Sequence, residues 1–297
     1  MKITRLDLPP MILGESPLWH PDENAFYWVD GLRPALFRMH WASRLVERQI
    51  LPDTVGSITL CADGAILLAF SRRIGRLRFG AEPETVAAPG LLPPGVRFND
   101  SKVDPEGRLL AGTMDLGESA PIGAAYLFSE DGACRMVDPG YTVFNGPAWS
   151  SDGRVLYMSD SAGMAVCRVD YDPASGTLGR KRPFITLAEE DGLPDGATVD
   201  ADGRYWQARN GAGILAVHDA DGDLRDAVIL PTANLTSLAF GGPDLDSLLV
   251  TSMNRRLPWQ GGLDVQAGSV FLIEDLDARG RPEPRARLVP SIKETHA

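Results

Sequence analysis

Short apolar stretches joined by tight polar turns repeat along this chain. The pattern is clearest in residues 194–206, where an apolar stretch leads into Asp202-Gly203 and a second apolar, aromatic stretch follows. An Asp-Gly pair between two apolar stretches favours a β-hairpin, because glycine tolerates the positive φ that the turn requires. This stretch therefore predicts two antiparallel strands joined by a tight turn.

The same unit recurs along the whole chain. Its turns lie at positions 22, 63, 106, 152, 202 and 244, which are separated by 41, 43, 46, 50 and 42 residues. Repeats of roughly 40 to 50 residues with short strands are typical of β-propeller blades. The sequence therefore predicts an all-β, six-bladed β-propeller, with residues 1–297 forming a single domain. We expect strands from both termini to close the ring, with residues 2–8 beside residues 285–289.

The seventh position before each of the first five turns suggests a shared site. These positions hold Glu15, Gly56, Asn99, Asn145 and Asp195. Equivalent positions of successive blades surround the propeller axis, so the four oxygen-bearing side chains are expected to converge at one mouth of the central channel. Carboxylate and amide oxygens are the ligands that a hard divalent cation prefers. Each could instead be a turn or cap residue, and the glycine either leaves room for substrate or is structural.

Charge and cysteine content indicate which kinds of partner and which compartment to expect. The formal net charge of −11 over 297 residues argues against nucleic acid or an anionic membrane surface as partner and favours a neutral small molecule. Cys61, Cys134 and Cys167 lie far apart, as expected of reduced thiols. The sequence shows neither a signal peptide nor a membrane-spanning run. We therefore expect a cytoplasmic monomer or weak homo-oligomer.

Other site chemistries fit the sequence less well. None of the four histidines lies at the ring offset or four residues from another, which disfavours a histidine-rich zinc site. The sequence lacks the Gly-x-Ser-x-Gly elbow of many serine hydrolases. Residues 211–213 lie between predicted strands and do not complete a nucleotide-binding fingerprint.

Two loops are expected at the same mouth. Residues 116–123 are polar and rich in turn residues, and residues 254–268 form a longer segment with Arg255, Arg256 and Trp259. Loops on a rigid scaffold often carry specificity. We expect the first loop to border the pocket and the second to cover that face.

Several short motifs, in order along nearly the full chain, resemble one known family. They are LGESPLW at 13–19, RFNDSKVDPEGR at 97–108, GTM at 112–114, NG at 145–146, PDG at 194–196 and FGG at 240–242. The family is that of senescence marker protein-30, gluconolactonase and luciferin-regenerating enzyme, whose members are six-bladed propellers.

The resemblance implies one divalent metal ion, either calcium, zinc, manganese or magnesium, held by Glu15, Asn145 and Asp195. It also implies that Arg97 and Asn99 hold oxygens of the substrate. The implied activity is hydrolysis of a sugar lactone, similar to gluconolactone, arabinonolactone or xylonolactone, to its aldonic acid. The ring offset leaves Asn99 open as a metal ligand, and Arg97 could instead form a surface ion pair.

The chain departs from the family pattern in two places that are expected to line the pocket. Residues 209–211 stand where many members have an aromatic residue and glycines, and Asp115 stands where some have Glu. Asp115 is therefore included among the candidate substrate-binding residues.

The chemistry expected of this site is metal-assisted ester hydrolysis. The metal polarises the lactone carbonyl and activates a water, while Asp195 is both a ligand and the candidate general base. Glu15 then remains mainly a ligand. The alternatives are a hydrolase of other esters or organophosphates, and a non-catalytic calcium-binding propeller. An open pocket above Glu15, Asn145 and Asp195 favours an enzyme, whereas a plugged mouth there favours the binding protein.

Overall fold

Six four-stranded antiparallel sheets form the computed structural model, which describes residues 1–88, 90, 92–255 and 264–288. The predicted all-β, six-bladed β-propeller is confirmed. The chain begins with β1 (Lys2–Arg5), which belongs to the sixth blade.

The first three blades each take four consecutive strands. Blade one contains β2 (Gly14–His20), β3 (Ala25–Asp30), β4 (Ala35–His40) and β5 (Val46–Ile50). Blade two contains β6 (Val55–Leu60), β7 (Ile66–Phe70), β8 (Ile74–Leu77) and β9 (Glu84–Ala87). Blade three contains β10 (Val96–Val103), β11 (Leu109–Asp115), β12 (Gly123–Phe128) and β13 (Cys134–Tyr141).

The remaining blades follow the same plan until the last. Blade four contains β14 (Phe144–Trp149), β15 (Val155–Asp160), β16 (Ala165–Asp172) and β17 (Thr177–Thr186). A 3₁₀ turn (Glu189–Asp191) leads to blade five, which contains β18 (Leu193–Val199), β19 (Tyr205–Asn210), β20 (Ile214–His218) and β21 (Leu224–Ile229). Blade six combines β22 (Leu235–Gly241), β23 (Ser247–Ser252) and β24 (Phe271–Glu274) with β1.

The predicted hairpin turns lie between the first two strands of the blades. Gly64, Gly107, Gly153 and Gly203 have φ angles of 81°, 85°, 71° and 82° at these turns. Asn24 takes the corresponding left-handed conformation in blade one, with φ 48°. The local turn chemistry therefore explains why the repeat was visible in the sequence.

Apolar side chains pack between neighbouring blades. In the described part of the chain, buried apolar residues form six clusters, and each cluster joins two adjacent blades. Both faces of a blade are thus covered, so a strand such as β7, with the sequence ILLAF, is buried along its whole length. This packing holds the blades at fixed positions around the axis.

Strands from both ends of the chain close the ring, but the predicted partner was wrong. β1 pairs with β24, with Lys2 opposite Glu274 and Arg5 opposite Phe271. Ala286, in the predicted partner segment, instead forms an isolated parallel bridge with Cys61 of blade two. β24 carries an edge that β1 can pair with, whereas residues 279–288 cross one mouth of the channel.

The three cysteines are free thiols, as predicted. No helix in the described ranges is long and apolar enough to cross a membrane. The assignment of residues 1–297 to one domain, the oligomeric state and the cytoplasmic location stay predictions.

Candidate active site

The first strand of each blade lies against the central channel. Each of these six inner strands contacts the inner strand of the next blade, and the last contacts the first. The inner strands are β2, β6, β10, β14, β18 and β22. The predicted ring residues lie on five of them, near the strand ends that form one mouth, which we call the upper mouth.

Every inner strand departs from regular pairing close to that mouth. The register shifts fall between Glu15 and Leu18, Val55 and Ser57, Phe98 and Ser101, Asn145 and Ala148, Pro194 and Ala197, and Leu235 and Ser237. Bulges of this kind re-aim side chains and occur often beside active sites. The predicted ring residues therefore lie where the strands cease to alternate regularly.

Hydrogen bonds link three neighbouring blades at the upper mouth. Asn99 Nδ2 donates to Asn145 Oδ1 at 2.9 Å. Asn145 Nδ2 donates to Ser161 Oγ at 2.8 Å, and that hydroxyl donates to Pro194 O at 2.6 Å. The network runs from blade three to the residue before Asp195 on blade five. It therefore joins Asn99 to Asn145 and ends beside Asp195.

Two glycines allow the inner strands to approach closely. A Cβ atom at Gly56 would lie 2.1 Å from the backbone oxygen of Asn99. A Cβ atom at Gly146 would lie 2.6 Å from the backbone oxygen of Asp195. The close approach accounts for Gly56, so its structural alternative holds and no space for substrate needs to be invoked.

Three carboxylates lie within electrostatic reach of one another at this mouth. Burial raises the pKa of Glu15 well above its usual range, and the charges of Asp195 and Asp100 raise it further. Burial also raises the pKa of Asp195 to about 8 and the pKa of Asp100 to about 6. Among the described residues, none of the three forms an ion pair with Lys or Arg. Asp195 is buried, and Glu15 and Asp100 are partly buried. Loss of water makes such carboxylates harder to ionise, and a bound cation would remove that penalty.

Asp100 is the acidic residue that the sequence reasoning missed. Its Oδ2 accepts a hydrogen bond from Gly146 N at 2.9 Å, and its Oδ1 accepts one from Ser101 N at 2.7 Å. The repeat offset selects one residue per blade and therefore chose Asn99, its neighbour. The motif at 97–108 contains Asp100, and a second acid beside a ring position was the available signal.

Asp195 is 7% exposed and is held by two hydrogen bonds. Gly196 N donates to its Oδ1 and Asn210 Nδ2 donates to its Oδ2, each at 3.1 Å. Of the residues at 209–211, Asn210 thus lies at the site as expected. Arg209 has its Nη2 3.0 Å from His218 Nε2.

Arg97 is a buried cation near the acidic cluster. It is 8% exposed, and its Nη1 donates to Phe98 O at 2.7 Å. Burial lowers its pKa, while the charges of Glu15 and Glu118 favour the charged form. Arg97 forms no ion pair within the described ranges, so the alternative of a surface ion pair is wrong.

Asp115 shapes the loop that follows it. Its Oδ1 accepts a hydrogen bond from Gly117 N at 3.1 Å, and its Oδ2 accepts bonds from Ser119 N at 3.1 Å and Ala120 N at 3.0 Å. These donors lower the pKa of Asp115. Its predicted contact with substrate stays a prediction, since both oxygens are engaged by the loop.

An ion pair joins the two predicted loops. Arg255 donates to both carboxylate oxygens of Glu118, at 2.5 and 3.1 Å. The pair connects the loop after β11 on blade three with the chain after β23 on blade six. Leu116 N, at the start of the first loop, donates to Gly95 O just before β10, so this loop borders the upper mouth. The charge of Glu118 also raises the pKa of Asp195. Arg256 and Trp259 lie outside the described residues.

The lower mouth, at the other ends of the inner strands, is crossed by residues 279–288. Glu283 pairs with Lys102 at 2.8 Å and accepts a hydrogen bond from Thr198 Oγ1 at 3.2 Å. A cavity of about 40 Å³ inside the channel is lined by residues that include Asp100, Lys102 and Glu283. Residues 279–288 therefore lie at the mouth opposite Glu15 and Asp195.

The predicted ligands fit a hard divalent cation in their chemistry. Glu15 and Asp195 supply carboxylate oxygens, and Asn145 supplies an amide oxygen that retains a second lone pair beside its bond from Asn99. The described residues contain no group of three or more His, Cys, Asp or Glu side chains arranged to hold a metal. The metal site, which depends on an amide ligand, therefore stays a prediction.

Comparison with known proteins gives a consistent result. Residues 13–254 match the family model described as SMP-30/Gluconolactonase/LRE-like region. A pentonolactonase of Haloferax volcanii, XacC, is 34% identical over 292 residues, which cover 96% of this chain and 98% of that protein.

Two solved structures share the fold over almost their whole length. A luciferin-regenerating enzyme has a TM-score of 0.90 and 27% identity, covering 97% of this chain and 99% of that one. A calcium-binding protein, regucalcin, from Agrobacterium tumefaciens has a TM-score of 0.88 and 29% identity, covering 96% of this chain and 97% of that one. Because the family model matches residues 13–254 and the pentonolactonase is 34% identical over 96% of the chain, this propeller belongs to the SMP-30/gluconolactonase/LRE-like family.

Proposed function

We propose that this protein is a metal-dependent sugar lactonase, a hydrolase of carboxylic esters that opens an aldonolactone to its aldonic acid. The observation that carries the proposal is the position of Glu15, Asn145 and Asp195 near one mouth of the channel, where burial raises the pKa of both carboxylates and neither forms an ion pair with Lys or Arg among the described residues. Similarity to a pentonolactonase over 96% of the chain supports the substrate class.

Glu15, Asn145 and Asp195 would hold the cation. When bound, the cation supplies Lewis-acid polarisation of the lactone carbonyl and lowers the pKa of a water molecule. Asn99 is a further proposed contact for the cation or the substrate. Its amide nitrogen donates to Asn145 Oδ1 and Phe144 O, which turns its oxygen away from these two acceptors. Its own oxygen accepts no hydrogen bond from the described residues and is available to the cation or to a substrate hydroxyl.

Asp195 is the proposed general base. It takes a proton from water as the water oxygen attacks the carbonyl carbon, and it returns the proton to the ring oxygen when the ring C–O bond breaks. Its hydrogen bonds from Gly196 and Asn210 hold the carboxylate in one orientation. Glu15, which is only partly buried, serves as a ligand in this proposal.

Arg97 is the proposed contact for substrate oxygens. Its charge is buried and has no ion-pair partner within the described residues, so an oxygen-rich substrate would meet a cation that is already desolvated. Negative charge that develops on the carbonyl oxygen would be stabilised by that cation. Asp115 acts through the loop at 116–123, which it holds by backbone hydrogen bonds.

The preferred substrate is proposed to be a pentonolactone, such as the lactone of arabinonic or xylonic acid, ahead of gluconolactone. This choice depends on the activity for which the Haloferax pentonolactonase is named. The metal is proposed to be calcium first, because a structurally similar regucalcin is described as calcium-binding and the ligands are hard oxygens.

The decisive experiment measures acid release from a panel of pentono- and hexonolactones. Protein stripped of metal is supplied with one divalent metal at a time, and spontaneous hydrolysis is subtracted. We expect metal to restore hydrolysis of at least one pentonolactone. Absence of hydrolysis of every lactone with every metal would reject the lactonase.

A non-catalytic calcium-binding propeller is the second candidate. It is favoured by the description of the similar regucalcin structure as a calcium-binding protein. The same preparations separate the two functions. Calcium that raises Tm without supporting hydrolysis of any lactone or simple ester would favour the binding protein.

A further inference from the structure

Asn210 occupies an unusual position beside the proposed base. It is the last residue of β19, where it pairs with Leu193 of β18, and its backbone also bridges to Asn234 before β22. Its side chain is only 3% exposed. The amide is therefore fixed from two sides, at the junction of blades five and six.

The direction of the amide is set by Asp195. Asn210 Nδ2 donates to Asp195 Oδ2 at 3.1 Å, and a flipped amide would bring two oxygen acceptors together. Asn210 is the one side chain of the described residues that donates to this carboxylate. The other hydrogen bond comes from the backbone of the adjacent Gly196.

This arrangement concerns the oxygen of the Asn210 amide as well as its nitrogen. Asn210 Oδ1 is buried and has no hydrogen-bond partner within the described residues. Trp206 and Ala208, on the same face of β19, belong to the apolar cluster between blades five and six. An apolar residue at 210 would therefore suit its surroundings better, since a buried acceptor without a partner is unfavourable.

We propose that Asn210 is a positioning residue that holds the carboxylate of Asp195 in the orientation needed to bind the cation and accept the proton. This inference deepens the proposed function. The role of Asn210 in orienting Asp195 to accept the proton depends on that function. A residue that costs stability but fixes a ligand is expected where function selects the side chain.

The test compares two substitutions on the same strand. Asn210→Leu keeps nearly the same shape and removes the N–H donor. Gln207→Met removes an equally buried amide, which faces away from Asp195 and donates to Tyr205 OH at 2.9 Å. Each variant is measured for calcium Kd by calorimetry, for kcat and KM on the best lactone, and for Tm.

For Asn210→Leu we expect calcium affinity and kcat to fall by about 10- to 100-fold, with KM changed much less, as for other partners of metal ligands. For Gln207→Met we expect kcat and Kd within about twofold of the wild type, whatever happens to Tm. Asn210→Ala provides the same comparison if the leucine variant does not fold.

Two results would overturn the proposal. One is an Asn210 variant that folds and keeps the wild-type calcium Kd and kcat. The other is an equal loss in Gln207→Met, which would show a general effect of disturbing β19. The calcium Kd is measured without substrate, so it decides the role of Asn210 even if the wild type hydrolyses no lactone and the proposed function fails.

Discussion

Asp195 shows how a single side chain can destabilise the fold and still serve the proposed site. A carboxylate that is 7% exposed is hard to ionise, because burial removes water from the charged form. Two hydrogen bonds favour its charge, but desolvation is the larger effect and raises its pKa to about 8. Such perturbed groups are concentrated at functional sites.

Replacement of Asp195 by Asn should abolish turnover while the propeller remains folded. The substitution keeps the shape of the side chain but removes the proton acceptor, so we expect kcat to fall by at least about 10²- to 10⁴-fold. The measurement is kcat on the best lactone, with circular dichroism to confirm folding. Asp104→Asn is the control, since Asp104 is fully buried and holds Arg108 at 2.6 Å in a turn. It should lower Tm and leave kcat intact, and an active Asp195→Asn variant would refute the assignment of the base.

The raised pKa of Asp195 also predicts how stability depends on pH in metal-free protein. Its usual pKa is 3.8 and its folded value is about 8, so the folded chain binds more protons between these values. Stability due to this group is therefore greatest at low pH and is lost as the pH rises through that window. Asp195→Asn lacks the effect.

In chelator, the Tm of Asp195→Asn minus that of the wild type should accordingly increase from about pH 5 to about pH 8. Saturating calcium should reverse the order at the higher pH, because a bound cation stabilises the ionised carboxylate. A difference in Tm that stays constant with pH in chelator would contradict the raised pKa.

At the scale of elements, the inner strands and two loops explain how distant residues meet. Register shifts occur near the upper mouth in the inner strands of all six blades, and the ring residues lie at five of them. The loop at 116–123 then reaches across to Arg255 through Glu118. The strands therefore set the ligand positions, while the loops adjust the charge above them.

Removal of Arg255 should change metal binding more than stability. The pair is exposed, with side-chain exposures of 54% and 38%, so its loss should cost less than about 1 kcal/mol. In Arg255→Ala the charge of Glu118, which reaches Asp195, is no longer compensated. We expect calcium to bind a few-fold more tightly at low salt and the gain to disappear at high salt.

The matched control for that prediction is Arg285→Ala. Arg285 binds both oxygens of Asp22, at 2.6 and 2.9 Å, in a similarly exposed pair at the lower mouth. It should cost comparable stability and leave the calcium Kd unchanged. Weaker calcium binding in Arg255→Ala would show that the loop contact matters more than the charge.

At the scale of the whole molecule, the local sequence pattern predicted the blades. Ring closure and part of the site depend instead on pairing between distant segments of the chain. The Asp-Gly turns and apolar strands are local, so the repeat and the ring positions could be read from the sequence. Asp100 and Asn210 were missed or left without a role, because bulges and cross-strand hydrogen bonds shift which neighbour faces the channel. The closing partner of β1 was wrong for the same reason, since strand order depends on distant chain segments.

The segment at 279–288 is a second long-range feature that the repeat did not reveal. Ala286 N donates to Leu60 O, and Ala62 N donates to Ala286 O. Leu288 is 2% exposed and packs in the cluster between blades two and three. The segment therefore stabilises the ring from the lower mouth, away from the proposed chemistry.

Truncation of Leu288 should separate stability from activity. Leu288→Ala removes a buried side chain from the cluster between blades, so we expect a loss of about 2–5 kcal/mol in the free energy of unfolding. Because the residue lies at the lower mouth, kcat and the calcium Kd should remain at wild-type values below the transition. Denaturant unfolding and the lactone assay measure the two effects. Leu45→Ala, at a position that is 60% exposed, is the control and should change stability by less than about 0.5 kcal/mol. A fall in kcat for folded Leu288→Ala would mean that the lower segment is coupled to the acidic cluster through the channel.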